Sequence, residues 1–142
     1  QAVSRGLGDV YKRQVFKYED EGVATLEDGL YVLEENLKDA AFKDKMVRFV
    51  RASMKGWKYA EQNPAEAAEI VVDNDDSGAQ TVEHNTTQMG EIIKLTAGSN
   101  GALDPADYQR TVDSLMTGGS DPVITKMPKG AWTHEITDLA LK

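Results

Sequence analysis

The residues able to do chemistry fall into four groups. Carboxylates come in adjacent pairs at Glu19/Asp20, Glu27/Asp28 and Glu34/Glu35. Two histidines, His84 and His134, lie fifty residues apart. "DNDDSGAQ" at 73–80 concentrates three aspartates, and Lys43, Arg48, Arg51, Lys55 and Lys58 recur along one stretch. Paired carboxylates suit general acid–base work, but a chain this rich in charge produces such pairs by composition alone. The histidines lack the one-turn spacing that would let both bind one metal, and each is expected as a surface or capping residue. The aspartate run is expected as a polar loop. A calcium loop of the twelve-residue type ends in Glu, and counted from Asp73 the twelfth place holds His84. No metal or catalytic residue is therefore assigned, and no cofactor. The phosphate-cradling, zinc-protease and serine-hydrolase motifs are all absent from the 142 residues.

Composition narrows the classes further. The net charge is −8, and residues 1–14 hold Arg5, Lys12 and Arg13 against only Asp9, so the remainder is more acidic still. Nucleic-acid binding needs clustered cations at phosphates and is not expected. Cysteine is absent, which removes thiol nucleophiles, disulfides and thiolate metal sites. No apolar run approaches the length of a membrane span.

These residues must be positioned by a mostly helical chain. "AAFKDKMVRFVRASMKGWKYAEQN" (40–63) places Phe42, Met46, Phe49, Val50, Ser53, Trp57 and Ala60 at helical spacing, which predicts an amphipathic helix with that stripe in the core and its cations in solvent. Asn63-Pro64, with Glu66 three residues after the cap, starts a second helix to 74. A third runs over 81–98. Asp104-Pro105 opens a fourth that Gly118-Gly119 closes after Thr117. Thr133 is expected to cap a short terminal helix burying Ile136, Leu139 and Ala140. "GVATLEDGLYVLEE" (22–35) reads as a β-hairpin turning at Asp28-Gly29, the chain's one small β element; a strand followed by an early helical turn is the alternative.

The same stretch carries a resemblance. Gly22, Leu30, Tyr31 and Val32, followed by Val47, Phe49, Ala52, Gly56, Ala60, Asn63, Pro64 and Ala67, resemble the family that joins fungal thiamine-pyrimidine synthases to bacterial ABC-transporter substrate-binding proteins for pyrimidine precursors, sulfonates, taurine and nitrate. "LDPADYQRTVDSLMTGG" is similar to that family's penultimate helix. Asp39-Ala40 departs from the family's Asn-Pro before the long helix. The resemblance implies an α/β fold of the second periplasmic-binding-protein type, with a solute held between two lobes. Residues 15–142 are then the C-terminal part of a longer protein, returning to the first lobe. It further implies a small-molecule solute, an ABC permease as membrane partner, a monomer when full length, and a periplasmic location whose signal peptide lies in the missing part. Thr25, Glu27, Asp28 and Tyr31 are the residues placed nearest the cleft: Glu27 to accept from an amino-pyrimidine, Tyr31 to stack on it or fill the core.

The synthase branch carries a cysteine-rich run that aligns with Val23–Asp28, where no soft metal ligand stands, so an enzyme is not expected. A free-standing helical interaction domain is the remaining alternative. Residues 1–14 fall outside the resemblance. "VSRGLGDVYKRQ" resembles a peptide that recurs at the ends of unrelated fragments of environmental sequence, and 1–14 are expected to be foreign.

Overall fold

The structure, a computed structural model, describes residues 16–142; the segment 1–14 lies outside them. The chain divides into two units. One comprises the described part of Gln1–Asp28 with Asp104–Lys129; the other comprises Gly29–Leu103 with Gly130–Lys142.

The larger unit is helical. A 3₁₀ turn at Glu34–Lys38 leads into α1 (Ala40–Gln62), followed by α2 (Pro64–Asp73), α3 (Val82–Thr96) and a short terminal helix, Thr137–Ala140. Asp39 starts α1 by accepting from the Ala41 N–H at 2.9 Å. Asn63 works backwards: its backbone N–H and its Nδ2 both donate to the Tyr59 carbonyl, at 2.9 and 3.0 Å, so it ends α1 and gives α2 no side-chain cap. Pro64 needs no donor partner at the first helical position, which makes that arrangement cheap. Glu66 accepts from the Tyr59 hydroxyl at 2.6 Å and ties the two helices across the corner. That bond raises the phenol's pKa above its ordinary value. A raised pKa contributes stability below the ordinary phenol range, lost as pH climbs through the raised value.

The buried stripe of α1 differs from the expected one. Val50 is buried and Phe42, Met46, Val47 and Met54 are half-buried, but Phe49 and Trp57 are 51% and 50% exposed. The i, i+4 row through 42, 46, 50 and 54 faces inward, leaving Phe49 off it. Three of the basic residues have partners, Arg48 pairing with Asp44 at 3.0 Å on the helix surface. Lys43 pairs with Glu135, and Arg51 donates to the carbonyls of Leu139 (3.1 Å) and Ala140 (3.3 Å). A guanidinium on the last carbonyls satisfies acceptors that a helix end leaves open. The terminal helix starts at Thr137, four residues later than Thr133; the Thr133 hydroxyl instead accepts from the Glu135 N–H within a turn.

Ala67 and Ala68 let α2 lie close against α3, and Ala68 has no exposed surface. Gly101 is also constrained: its φ is +85°, and a Cβ there would stand 2.5 Å from Met54 Sδ.

In the smaller unit, α4 (Pro105–Thr117) has the expected bounds. Asp104 accepts from the Ala106 N–H at 2.7 Å and Gly118 follows the last turn. Val112 is its buried residue.

Among the described residues there is no strand, and the hairpin expected over 22–35 does not form. Residues 23–33 carry neither helix nor ladder, and 34–38 take the 3₁₀ turn. The tight turn at Asp28-Gly29 would need positive φ, which Gly29 does not adopt. A two-stranded ribbon is marginal unless another surface covers its apolar face, and Leu26, Leu30, Tyr31 and Leu33 are exposed.

Replacing Ala68 with Leu should cost about 1–3 kcal/mol by overpacking the α2–α3 contact. Ile70→Ala, at an exposed position of the same helix, should cost well under that. Urea unfolding of the two variants checks the difference, and equal costs would count against a close α2–α3 contact.

Candidate functional site

Thr25, Glu27 and Asp28 lie together on the irregular segment of the smaller unit, all exposed. The backbone beneath them is fixed to α4. Arg110 Nε donates to the Ala24 carbonyl at 3.1 Å, and the Leu26 N–H donates to Thr111 Oγ1 at 2.8 Å. Thr111 in turn donates to the Asp107 carbonyl at 2.9 Å, and the Arg110 guanidinium pairs with Asp107. One turn of α4 thus grips Ala24 and Leu26 by their backbone groups and leaves the side chains of Thr25 and Glu27 available. Arg110 also sets a cation beside an acidic segment, with its charge answered by Asp107 one turn earlier.

Tyr31 belongs to the other unit and is 85% exposed, so among the described residues it fills no core. Arg110 and Thr111 escaped sequence reasoning as positioning residues. The Asp107–Arg110 spacing signals a helical ion pair, but nothing local announces a grip on Ala24.

The larger unit contains a second feature that sequence reasoning missed: a cleft of about 450 Å³ where α1, α2 and α3 meet. Trp57, Val71, Met89 and Ile92 give it apolar surface, and Asn74, Asp75, Asn85 and Gln88 give it polar groups. Its floor is set by the loop after α2. Asp75 Oδ1 accepts from the Ser77 N–H (2.9 Å) and the Ser77 hydroxyl (2.5 Å), and Oδ2 accepts from the Gln80 N–H (2.7 Å). These donors favour the carboxylate, the Ser77 hydroxyl most, and hold Asp75 below the usual carboxylate range. Thr81 then caps α3 by accepting from the His84 N–H at 3.2 Å. So 74–80 form the expected polar loop, with Asp73 taken into the end of α2 and Asp75 organising the backbone around it.

His84 is exposed, with its backbone N–H used in that cap. His134 is half-buried: its Nε2 donates to the Leu103 carbonyl at 2.7 Å and its ring lies 4.8 Å from that of Trp132. Among the described residues, no three of His, Asp or Glu converge in a way that could hold a metal. No described helix is long and apolar enough to cross a membrane.

A family model described as NMT1/THI5 like matches residues 2–67. The match takes in under half of the chain. It covers the segment with Thr25, Glu27, Asp28 and Tyr31 and runs through α1 into α2, in accord with the resemblance drawn from Gly22 to Ala67. It also includes residues 2–14, which the sequence reading set apart as foreign. No curated protein and no solved structure matches the chain.

The Asp75 hydrogen bonds have a pH signature. A depressed pKa contributes stability above the ordinary aspartate range of about 4, lost as pH falls through the depressed value. Asp75→Asn should therefore lower the thermal midpoint at pH 7, and the gap to the parent should narrow as the pH falls below the ordinary aspartate range of about 4. A gap independent of pH in circular-dichroism melts would show that the charge on Asp75 does not matter.

Proposed function

We propose that the chain belongs to the solute-binding component of an ABC importer, captures a small organic solute outside the inner membrane and delivers it to a membrane permease. The family-model match over residues 2–67 carries this reading. The family spans both binding proteins and synthases. The binding branch is favoured by the residues at Val23–Asp28, which include no soft metal ligand.

On this reading the segment over 22–33 lies against further sheet and lobe contributed by the rest of a longer protein. Its exposed apolar residues, Val23, Leu26, Leu30 and Val32, support that. Several large apolar side chains exposed on one short segment are what a covering surface would bury. Periplasmic location and a monomeric state belong to the same proposal.

The solute is a neutral or cationic heteroaromatic amine of the amino-pyrimidine kind. Glu27 accepts from its exocyclic amine, and Thr25 can donate to or accept from a ring nitrogen. Asp28 adds a negative field beside them. An anionic solute such as a sulfonate would call for an unanswered cation or a helix N-terminus, and the guanidinium nearest the segment, Arg110, is already paired with Asp107.

Calorimetric titration of the protein expressed from its complete reading frame distinguishes the cases. An aminomethyl-pyrimidine should bind with a micromolar or tighter Kd, and Glu27→Gln should weaken it about tenfold, the scale of one charge-assisted hydrogen bond. Tight binding of taurine alone would overturn the pyrimidine assignment. Stoichiometric iron in the purified protein would overturn the binding-protein reading in favour of the synthase.

A further inference from the structure

The cleft between α1, α2 and α3 has a chemistry that the proposed solute-binding function does not use, and it lies wholly within residues 57–92. Its two asparagines are oriented by their own hydrogen bonds. Asn74 Nδ2 donates to the Ile70 carbonyl at 2.7 Å. Asn85, only 7% exposed, donates through Nδ2 to Gln80 Oε1 (2.9 Å) and to the Thr81 carbonyl (3.0 Å). Asn85 therefore has both amide N–H groups committed and Asn74 one of its two, and each asparagine has its Oδ1 to offer as an acceptor.

Asp75 adds a carboxylate. Its Oδ2 takes one N–H and keeps a second lone-pair direction, and the donors around it keep it ionised at neutral pH. No Lys, Arg or His lines the cleft. The polar side is negative, with the amides of Gln80 and Gln88 beside the asparagines, and the other side is the half-exposed indole of Trp57 with Met89 and Ile92.

The geometry points to a second ligand site in this cleft, one for a flat organic cation with several N–H donors, of the aryl-amidinium or guanidinium class. Asp75 and the two asparagine oxygens would take the donors, and Trp57 would supply the aromatic surface that favours a cation. A volume of about 450 Å³ lies within the range of small-molecule sites and holds a single aromatic ring with its polar group. Anions are disfavoured by the Asp75 carboxylate and by a lining that holds no cation.

Benzamidine is the probe, with benzoate as its anionic counterpart of the same shape. In an amide-correlation NMR titration of the protein from its complete reading frame, benzamidine should shift the amides of 74–75 and 85–89 and the Trp57 indole N–H. The shifts should saturate with a Kd of about 0.1–1 mM, ordinary for a ligand of this size. Trp57→Ala should weaken binding at least tenfold. Gln88→Lys, which brings a cation to the rim at an exposed position, should do the same without disturbing the fold. Equal shifts from benzoate, no saturation in the millimolar range, or affinity unchanged in both variants would each overturn the site. None of these readings depends on Glu27 or on the amino-pyrimidine, so this proposal and the importer proposal fail separately.

Discussion

Among its described residues the chain buries no large side chain completely. That constraint shapes everything else. Apolar burial is the usual dominant source of order, and where it is thin the backbone's polar groups need partners of their own. Here side chains supply many of them. Asp39, Thr81 and Asp104 start helices, Asn63 ends one, and Asp75 closes a loop. Arg51 reaches the last carbonyls of the terminal helix. In the smaller unit Arg110 and Thr111 hold the backbone of Ala24 and Leu26. Both candidate sites are by-products of this. Thr25 and Glu27 are presented because the backbone between them is gripped, and the cleft offers the asparagine oxygens because Asn74 and Asn85 are oriented by the bonds their amide nitrogens make.

What the sequence made legible follows from the range of each interaction. Asp104-Pro105 and Asn63-Pro64 mark helix starts because a cap and its helix are neighbours in the chain, so α4 and the α1–α2 corner stand where the pattern puts them. The polar loop at 73–80 was legible for the same reason. Capping is also where local reading overreached: Asn63 has the right type for an N-cap, yet its amide turns back to Tyr59.

The hairpin failed for a different reason. Asp28-Gly29 favours a tight turn, but a turn holds only if the flanking strands pair, and pairing depends on surfaces that local pattern cannot specify. The contact that does fix the segment, Leu26 to Thr111, spans 85 residues of sequence. Trp57 shows the same limit on α1. Helical spacing assigned it to the core stripe, and periodicity cannot tell a core position from the wall of an open cleft.

The functional account rests on the segment from Thr25 to Tyr31, where the family likeness and the exposed acidic side chains coincide. Its most direct test is a crystal structure of the protein from its complete reading frame with an aminomethyl-pyrimidine bound. The account predicts the exocyclic amine within hydrogen-bond distance of Glu27, with Ala24 still held by Arg110. A solute that touches none of Thr25, Glu27 and Asp28 would contradict it.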